Sequence, residues 1–160
     1  MHKSLKLAGI FAATLFAASP AAYAGSITFG AKTGPMIFDA SNLEDTTNAG
    51  VAVGYEQGIV LGDLGVEAEF TTTVNQGHIK TTNQDLEIDT YGGYVTYRSP
   101  GFIYLKGRMG FTNWETNTGD EDTSKSVGLG LGLSLALIKI ELDYTRIDND
   151  IDFISVGIQF

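Results

Sequence analysis

Apolar side chains recur at every second position in eight separate stretches of this chain, and no window carries a sustained helical repeat. A period of two gives a stretch one apolar and one polar face, which an extended strand presents and a helix does not. The stretches run from Ile27 to Lys32, Val51 to Glu56, Leu64 to Thr71, Thr90 to Arg98, Ile103 to Phe111, Val127 to Leu135, Ile138 to Thr145 and Ile154 to Phe160. The cleanest sets Val127, Leu129, Leu131, Leu133 and Leu135 against Gly128, Gly130, Gly132 and Ser134. The pattern predicts an all-β fold of eight strands, each of about ten residues, the length that crosses a bilayer at a tilt.

The connections alternate as well. Gln57–Asp63, Ser99–Gly101 and Ala136–Leu137 are short, whereas Gly34–Asn48, Val74–Glu87 and Glu115–Lys125 are long and polar, with a tighter turn at Asp148–Asp150. An even strand count with short turns at one end and long loops at the other is the arrangement of an antiparallel up-and-down transmembrane β-barrel, turns in the periplasm and loops outside. Both termini then fall on the periplasmic side.

A soluble barrel alternates too, with its apolar face inward. Two features argue for the inverse. The polar face is crowded with small residues, among them Gly54, Gly65, Gly92, Gly110, Gly128, Gly130, Gly132 and Gly157, which suit a narrow lumen and would weaken a water-facing strand. The apolar-face aromatics also sort by height. Phe29, Tyr55, Tyr97 and Phe160 fall at the periplasmic end and Phe70, Tyr91, Phe111 and Tyr144 at the external end, with an aliphatic band between. Two aromatic girdles around such a band are what the two interfaces of a bilayer select.

Residues 1–24 are read as a signal peptide rather than as structure. His2, Lys3 and Lys6 form a basic start, Leu7 to Ala18 is an apolar run too short to span a bilayer, and Ala22-Tyr23-Ala24 fits a small-x-small cleavage site. Residues 25–160 then make one barrel domain, and no peptidoglycan-binding domain is expected after it. The chain has no cysteine, which removes thiolate catalysis and Cys-based zinc sites. Ten Lys and Arg against 19 Asp and Glu give −9, which speaks against a nucleic-acid partner.

The ending Val156-Gly157-Ile158-Gln159-Phe160 and the stretch Leu142-Asp143-Tyr144-Thr145-Arg146, together with the leader and the eight segments, resemble the small eight-stranded outer-membrane barrels of the OmpA/OmpX type, a porin-family outer-membrane β-barrel domain. The resemblance implies a monomer in the bacterial outer membrane, in contact with its lipids and lipopolysaccharide. It also implies that Phe160, an aromatic C-terminus after alternating apolar residues, is the assembly signal read by the barrel assembly machinery.

Parity places Lys32, Arg98, Lys106, Arg108 and Lys139 inside with Glu56, Glu67, Glu69, Glu141 and Asp143, five of each sign. Charges in a narrow interior have to pair. Glu67, Glu69, Glu141 and Asp143 flank Lys106 and Arg108, which predicts a lumen salt-bridge network, either a structural plug or the gate of a narrow ion path. The external loops and rims hold thirteen acidic groups against Lys80, Lys125 and Arg146, a net −10. Within them Asp120, Glu121 and Asp122 could meet Asp148, Asp150 and Asp152 around a divalent cation, although no EF-hand spacing is present; ordinary solvated loops are the simpler reading, and no cofactor or resident metal is expected. A hydrolytic site would need a histidine beside a hydroxyl and a carboxylate. After the leader the only histidine is His78, in a loop without a His-x-Ser motif. The chain therefore reads as a non-enzymatic barrel with a structural or surface-interaction role carried by its acidic external loops, the surface ligand unspecified. A porin-like channel of low conductance is the alternative, and an outer-membrane lipid hydrolase is third.

Overall fold

The computed structural model describes residues 25–82 and 84–160; the leader and its cleavage after Ala24 lie outside the described residues. The strands are β1 (Ser26–Phe38), β2 (Thr46–Ile59), β3 (Gly62–Asn75), β4 (Gly77–Ile79), β5 (Gln84–Leu86), β6 (Ile88–Arg98), β7 (Ile103–Thr116), β8 (Glu121–Leu135), β9 (Ile138–Asp148) and β10 (Ile151–Gln159). Eight of them close an antiparallel barrel in the order β1-β2-β3-β6-β7-β8-β9-β10, and β4 with β5 forms a separate hairpin. Phe29 and Phe160 exchange backbone hydrogen bonds of 2.8 and 2.9 Å where the last strand meets the first. Closure leaves the barrel without an unpaired edge, which is the condition for strands to stand in hydrocarbon.

The strands run further than the alternation suggests. The connection expected over Gln57–Asp63 is only the Val60–Leu61 turn, because β2 and β3 stay paired to the Ile59–Gly62 rung. Gly62 has φ +135°, and a Cβ there would collide with the Arg98 carbonyl, so glycine alone fits. At the β8–β9 turn Ala136 takes φ 44°, a left-handed conformation that costs a residue with a Cβ about 1 kcal/mol. At the other end, the loops between β1 and β2 and between β7 and β8 shrink to residues 39–45 and 117–120, and the stretch expected as a loop over Val74–Glu87 contains the β4–β5 hairpin.

The outward face between the aromatic tiers is aliphatic, with Val51, Val53, Val95, Leu105, Met109, Leu129, Leu131, Leu142 and Val156 exposed. Register sets the lower tier at Phe29, Tyr55, Tyr97 and Phe160, and joins Phe70 to Tyr91 across β3 and β6 in the upper tier, ring centroids 5.0 Å apart. From the upper tier outward the wall changes character without changing parity. Lys125, Arg146 and Asp152 now point outward, while Met36, Ile88, Ile147, Ile151 and Phe153 point inward and pack together, with Phe38 and Trp114 against them. The external third is thus built like a soluble barrel, polar outside and apolar inside, because there the solvent is water rather than lipid.

Candidate functional site: a filled lumen beneath a braced external rim

The lumen has three tiers. At the periplasmic end ten charged side chains from six strands form one connected network. Arg98 pairs with Glu56 and, through Nε, with Glu141 Oε1 at 2.7 Å. Lys106 lies 2.7 Å from Glu141, 3.2 Å from Asp143 and 3.6 Å from Glu67. Arg108 donates from Nη1 to Glu69 at 2.7 Å and to Glu67 at 3.1 Å, and from Nη2 to Glu69 at 3.2 Å. Lys32 pairs with Glu69 and lies 3.7 Å from Asp143, and Lys139 pairs with Glu56 near the periplasmic mouth. All six residues named from the sequence for this network, Glu67, Glu69, Lys106, Arg108, Glu141 and Asp143, are brought together, and Lys32, Glu56, Arg98 and Lys139 extend it.

Two tyrosines complete the tier. Tyr104 donates its hydroxyl to Glu141 at 2.8 Å, and the Arg108 guanidinium stacks 3.9 Å above the Tyr94 ring. Parity alone places both rings inside; their roles follow from reach. The β8 glycines make the crossing possible. A Cβ at Gly132 would strike the Tyr104 ring, one at Gly130 the Asp143 carboxylate, and one at Gly128 the Arg108 stem at 3.0 Å. Paired carboxylates and cations packed inside a closed wall leave little space. The cavity among Lys32, Glu67, Lys106, Glu141, Asp143 and Gln159 measures about 20 Å³, room for one water molecule.

The middle tier is uncharged and hydrogen-bonded. Asn48 donates to the Ile88 carbonyl at 2.8 Å and accepts from Thr46 at 2.8 Å and Thr73 at 3.2 Å. Thr71 and Thr90 share a 2.8 Å bond, and Tyr94, Thr112 and Ser126 form a chain that ends on the Ile147 carbonyl. Above it sits the apolar tier of Met36, Ile88, Ile147, Ile151 and Phe153.

The external loops brace one another. The first loop meets the β4–β5 hairpin through Glu44 N–H to the His78 carbonyl and Lys80 N–H to the Asn42 carbonyl, at 3.0 and 2.9 Å, and through Lys80 Nζ to the Ser41 carbonyl at 3.1 Å. Asn117, in the β7–β8 loop, ties that loop to the segment after the hairpin. Its side chain donates to the Asp85 carbonyl at 2.8 Å and accepts from Glu87 N–H at 3.1 Å, and its own N–H reaches the Glu87 carbonyl at 3.2 Å. An open cleft between the first loop and the hairpin is lined by Phe38, Asp39, Leu43, Glu44, Asp45 and Lys80.

The carboxylates suggested from the sequence as a cation site are not gathered. Among the described residues no three acidic or imidazole side chains form a ligating group. Asp120 accepts from the Thr118 hydroxyl, Asp122 from Thr123 N–H, Asp148 from Asn149 N–H, and Asp152 is paired with Arg146 at 3.1 Å. These carboxylates turn onto their own loops or a neighbouring cation rather than onto one another. His78 lies 3.2 Å from Asp85 across the hairpin, both half exposed, and no hydroxyl among the described residues bonds to it. Phe160, proposed from the sequence as an assembly signal, points its ring outward at the foot of the wall.

A closed antiparallel barrel, aliphatic outside between two aromatic tiers and filled with paired charge inside, defines a transmembrane β-barrel. The chain belongs to the outer membrane protein β-barrel domain family, whose model matches residues 8–158. That membership places it in the bacterial outer membrane. Among solved structures it is similar to Neisserial surface protein A, with 15% identity, a TM-score of 0.57, and 85% of this chain and 97% of that one covered. It is also similar to Ail, the attachment invasion locus protein of Yersinia pestis, solved in complex with the heparin analogue sucrose octasulfate, with 18% identity, a TM-score of 0.53, and the same 85% and 97% coverage. At such identities the likeness is one of fold. No curated protein matches by sequence.

Proposed function

We propose that this barrel is a surface-interaction protein whose strands anchor it and whose acidic external loops recognise a partner. The observation that carries the reading is the bracing of the loops. Backbone and Asn117 hydrogen bonds join the first loop, the hairpin and the β7–β8 loop into one platform, so a partner meets a preformed surface rather than three flexible loops. The charge of that platform and its rims, −10, favours a cationic partner and repels a polysulfated one. A ligand like the heparin analogue bound by Ail is therefore not expected here. A narrow channel would require the ten paired charges to part and the apolar tier above them to open. A lipid hydrolase would require a hydroxyl beside the His78–Asp85 pair.

Around this reading stand the accompanying proposals: a leader removed after Ala24, assembly directed by Phe160, and a monomer bathed in outer-membrane lipid and lipopolysaccharide. The test of the function is adhesion. Cells displaying the chain are compared with cells displaying Asp39→Asn, Glu44→Gln, Asp45→Asn, Asp120→Asn, Glu121→Gln and Asp122→Asn together, on surfaces coated with a cationic polypeptide or with heparin. The expected result is salt-sensitive retention on the cationic coat, lost in the amide variant, with none on heparin. Equal retention of both kinds of cell on the cationic coat would overturn the reading. So would stable conductance steps from the reconstituted barrel without any adhesion.

A further inference from the structure

The periplasmic turns carry an unexpected load of exposed apolar side chain. Val60 is 99% exposed, Leu61 70%, Phe102 61% and Leu137 85%, and the four lie on the three short turns at the same end of the barrel. The turn tips themselves, Val60-Leu61, Ser99-Pro100-Gly101-Phe102 and Ala136-Leu137, hold no charged residue. Turns standing in water ordinarily carry Asn, Asp, Ser or Gly, which bond to their own backbone or tolerate its bends. Water is the wrong solvent for Val60, Leu61 and Leu137, and for the Phe102 ring that follows the more ordinary Ser99-Pro100-Gly101 bend.

We infer that the three periplasmic turns are seated in the lipid of the periplasmic leaflet, forming an apolar skirt continuous with the lipid-facing wall. Continuity is visible strand by strand. On β8 the outward row Val127, Leu129, Leu131, Leu133 and Leu135 leads directly to Leu137, and on β3 the row Phe70, Ala68, Val66 and Leu64 leads back to Leu61 and Val60. The hydroxyl of Tyr97, an outward-facing ring of the lower tier, donates to the Leu61 carbonyl at 2.6 Å. That bond holds the β2–β3 turn against the lipid-facing side of the wall and satisfies a turn carbonyl that water would otherwise have to reach.

The height of the wall asks for the same thing. A strand rising ~3.3 Å per residue at a tilt of ~40° climbs ~2.5 Å per residue, so the outward apolar row of β8 from Val127 to Leu135 is only ~20 Å tall. On β3, from Phe70 to Leu64, it is ~15 Å on the same geometry. An outer-membrane barrel presents an apolar band of ~25 Å. The chain reverses one residue below the Ile59–Gly62 and Leu135–Ile138 rungs, and counted to that level both rows reach ~22 Å. The turns supply most of the missing height, whereas a shorter wall would force the bilayer to thin around it.

The inference rests on family membership and not on the loop-recognition reading, so the two fail separately. Its test uses the chain folded in phosphatidylcholine vesicles, with Trp114→Phe to clear the background and Val60→Trp or Leu137→Trp as a reporter; Leu133→Trp, on the wall, is the reference. In vesicles whose acyl chains are brominated near the carbonyl end, the turn reporters are expected to be quenched as the wall reporter is. Their emission should be blue-shifted and indifferent to aqueous acrylamide. Red-shifted emission, quenched by acrylamide and not by bromine, would overturn the inference and leave the turns as a surface for a periplasmic protein. As a second arm, Val60→Ser, Leu61→Ser and Leu137→Ser together should move the best refolding yield to lipids of shorter acyl chain. An unchanged preference would count equally against the skirt.

Discussion

The two ends of the barrel are chemical inverses. At the external end the wall is charged outside, with Lys125, Arg146 and Asp152, and apolar within, around Phe153. Toward the periplasm it is aliphatic outside and filled with ten paired charges within. One sheet with one unbroken parity does both, which shows that alternation specifies only which residues share a face. Which face is apolar is decided by the medium on either side of the wall, and that changes at the upper aromatic tier.

The comparison is broken most severely at the periplasmic end. Arg108 is buried, bidentate on Glu69, shared with Glu67 and stacked on Tyr94. Its removal in Arg108→Ala takes away the cation shared by Glu67 and Glu69, leaving Glu69 to Lys32 and Glu67 to the more distant Lys106 and Arg98, and the expected loss is ~3–5 kcal/mol. The measurement is the urea midpoint of the chain folded in lipid. An unchanged midpoint would mean that the charged tier does not hold the barrel together. Adding Glu69→Gln to Arg108→Met should recover part of the loss, since a pair removed together keeps the lumen neutral and leaves Lys32 to Asp143 and Glu67 to Lys106.

At the other end the corresponding cut is Phe153→Ala. Phe153 is almost wholly buried against Met36, Ile88, Ile147 and Ile151, and the cavity left behind should cost about 3 kcal/mol. If the external third is a true apolar core, Phe153→Leu should restore most of the stability and Phe153→Gln should not. Equal behaviour of the two would make this tier a space-filler rather than a core.

The membrane-spanning part of the wall was legible in the sequence, and the external third was not, for one physical reason. Where lipid lies outside and a polar lumen inside, adjacent residues differ sharply, as in Leu129-Gly130-Leu131-Gly132, and period two stands out. Toward the outer end Tyr144, Arg146, Ile147 and Asp148 no longer divide cleanly, because the outward face is turning polar while the inward face turns apolar. Residues on both faces then resemble loop, and Met36, Ile88 and Ile151 went unassigned. The ten lumen charges followed from parity, and so did the grouping of Glu67, Glu69, Glu141 and Asp143 around Lys106 and Arg108; the meeting of Arg98 on β6 with Glu141 on β9 did not, because it depends on how far strands across the lumen are staggered. Where the acidic side chains of the rim turn was not legible for a local reason: a carboxylate at a strand end or loop meets the next N–H of its own chain first, as Asp122 and Asp148 do.

The position of the inversion can be sharpened by moving a charge along one strand. Leu131 lies midway up the outward row of β8, paired with Leu105 and Leu142. Leu131→Arg should cost ~2–3 kcal/mol, as an arginine near the bilayer midplane does. Lys125, on the same strand and the same face but opposite Phe111 of the upper tier, should accept Leu with no resolvable change in midpoint. A gain on Lys125→Leu as large as the loss on Leu131→Arg would place the upper boundary of the membrane above Lys125 and put the external third inside the bilayer.

The smallest effect falls on the rim, where stability and order come apart. Asn117 makes three hydrogen bonds between the β7–β8 loop and the segment Asp85–Glu87, and all of them are exposed to water, which replaces them at little cost. Asn117→Ala should remove the two side-chain bonds and lower the midpoint by no more than ~1 kcal/mol. It should nonetheless speed proteolytic cleavage in the β7–β8 loop and the hairpin, because the two are then free to move independently. If cleavage were unchanged, the loops would be held by the strands beneath them and not by one another, and a preformed external platform would have to be explained by the apolar tier on which it stands.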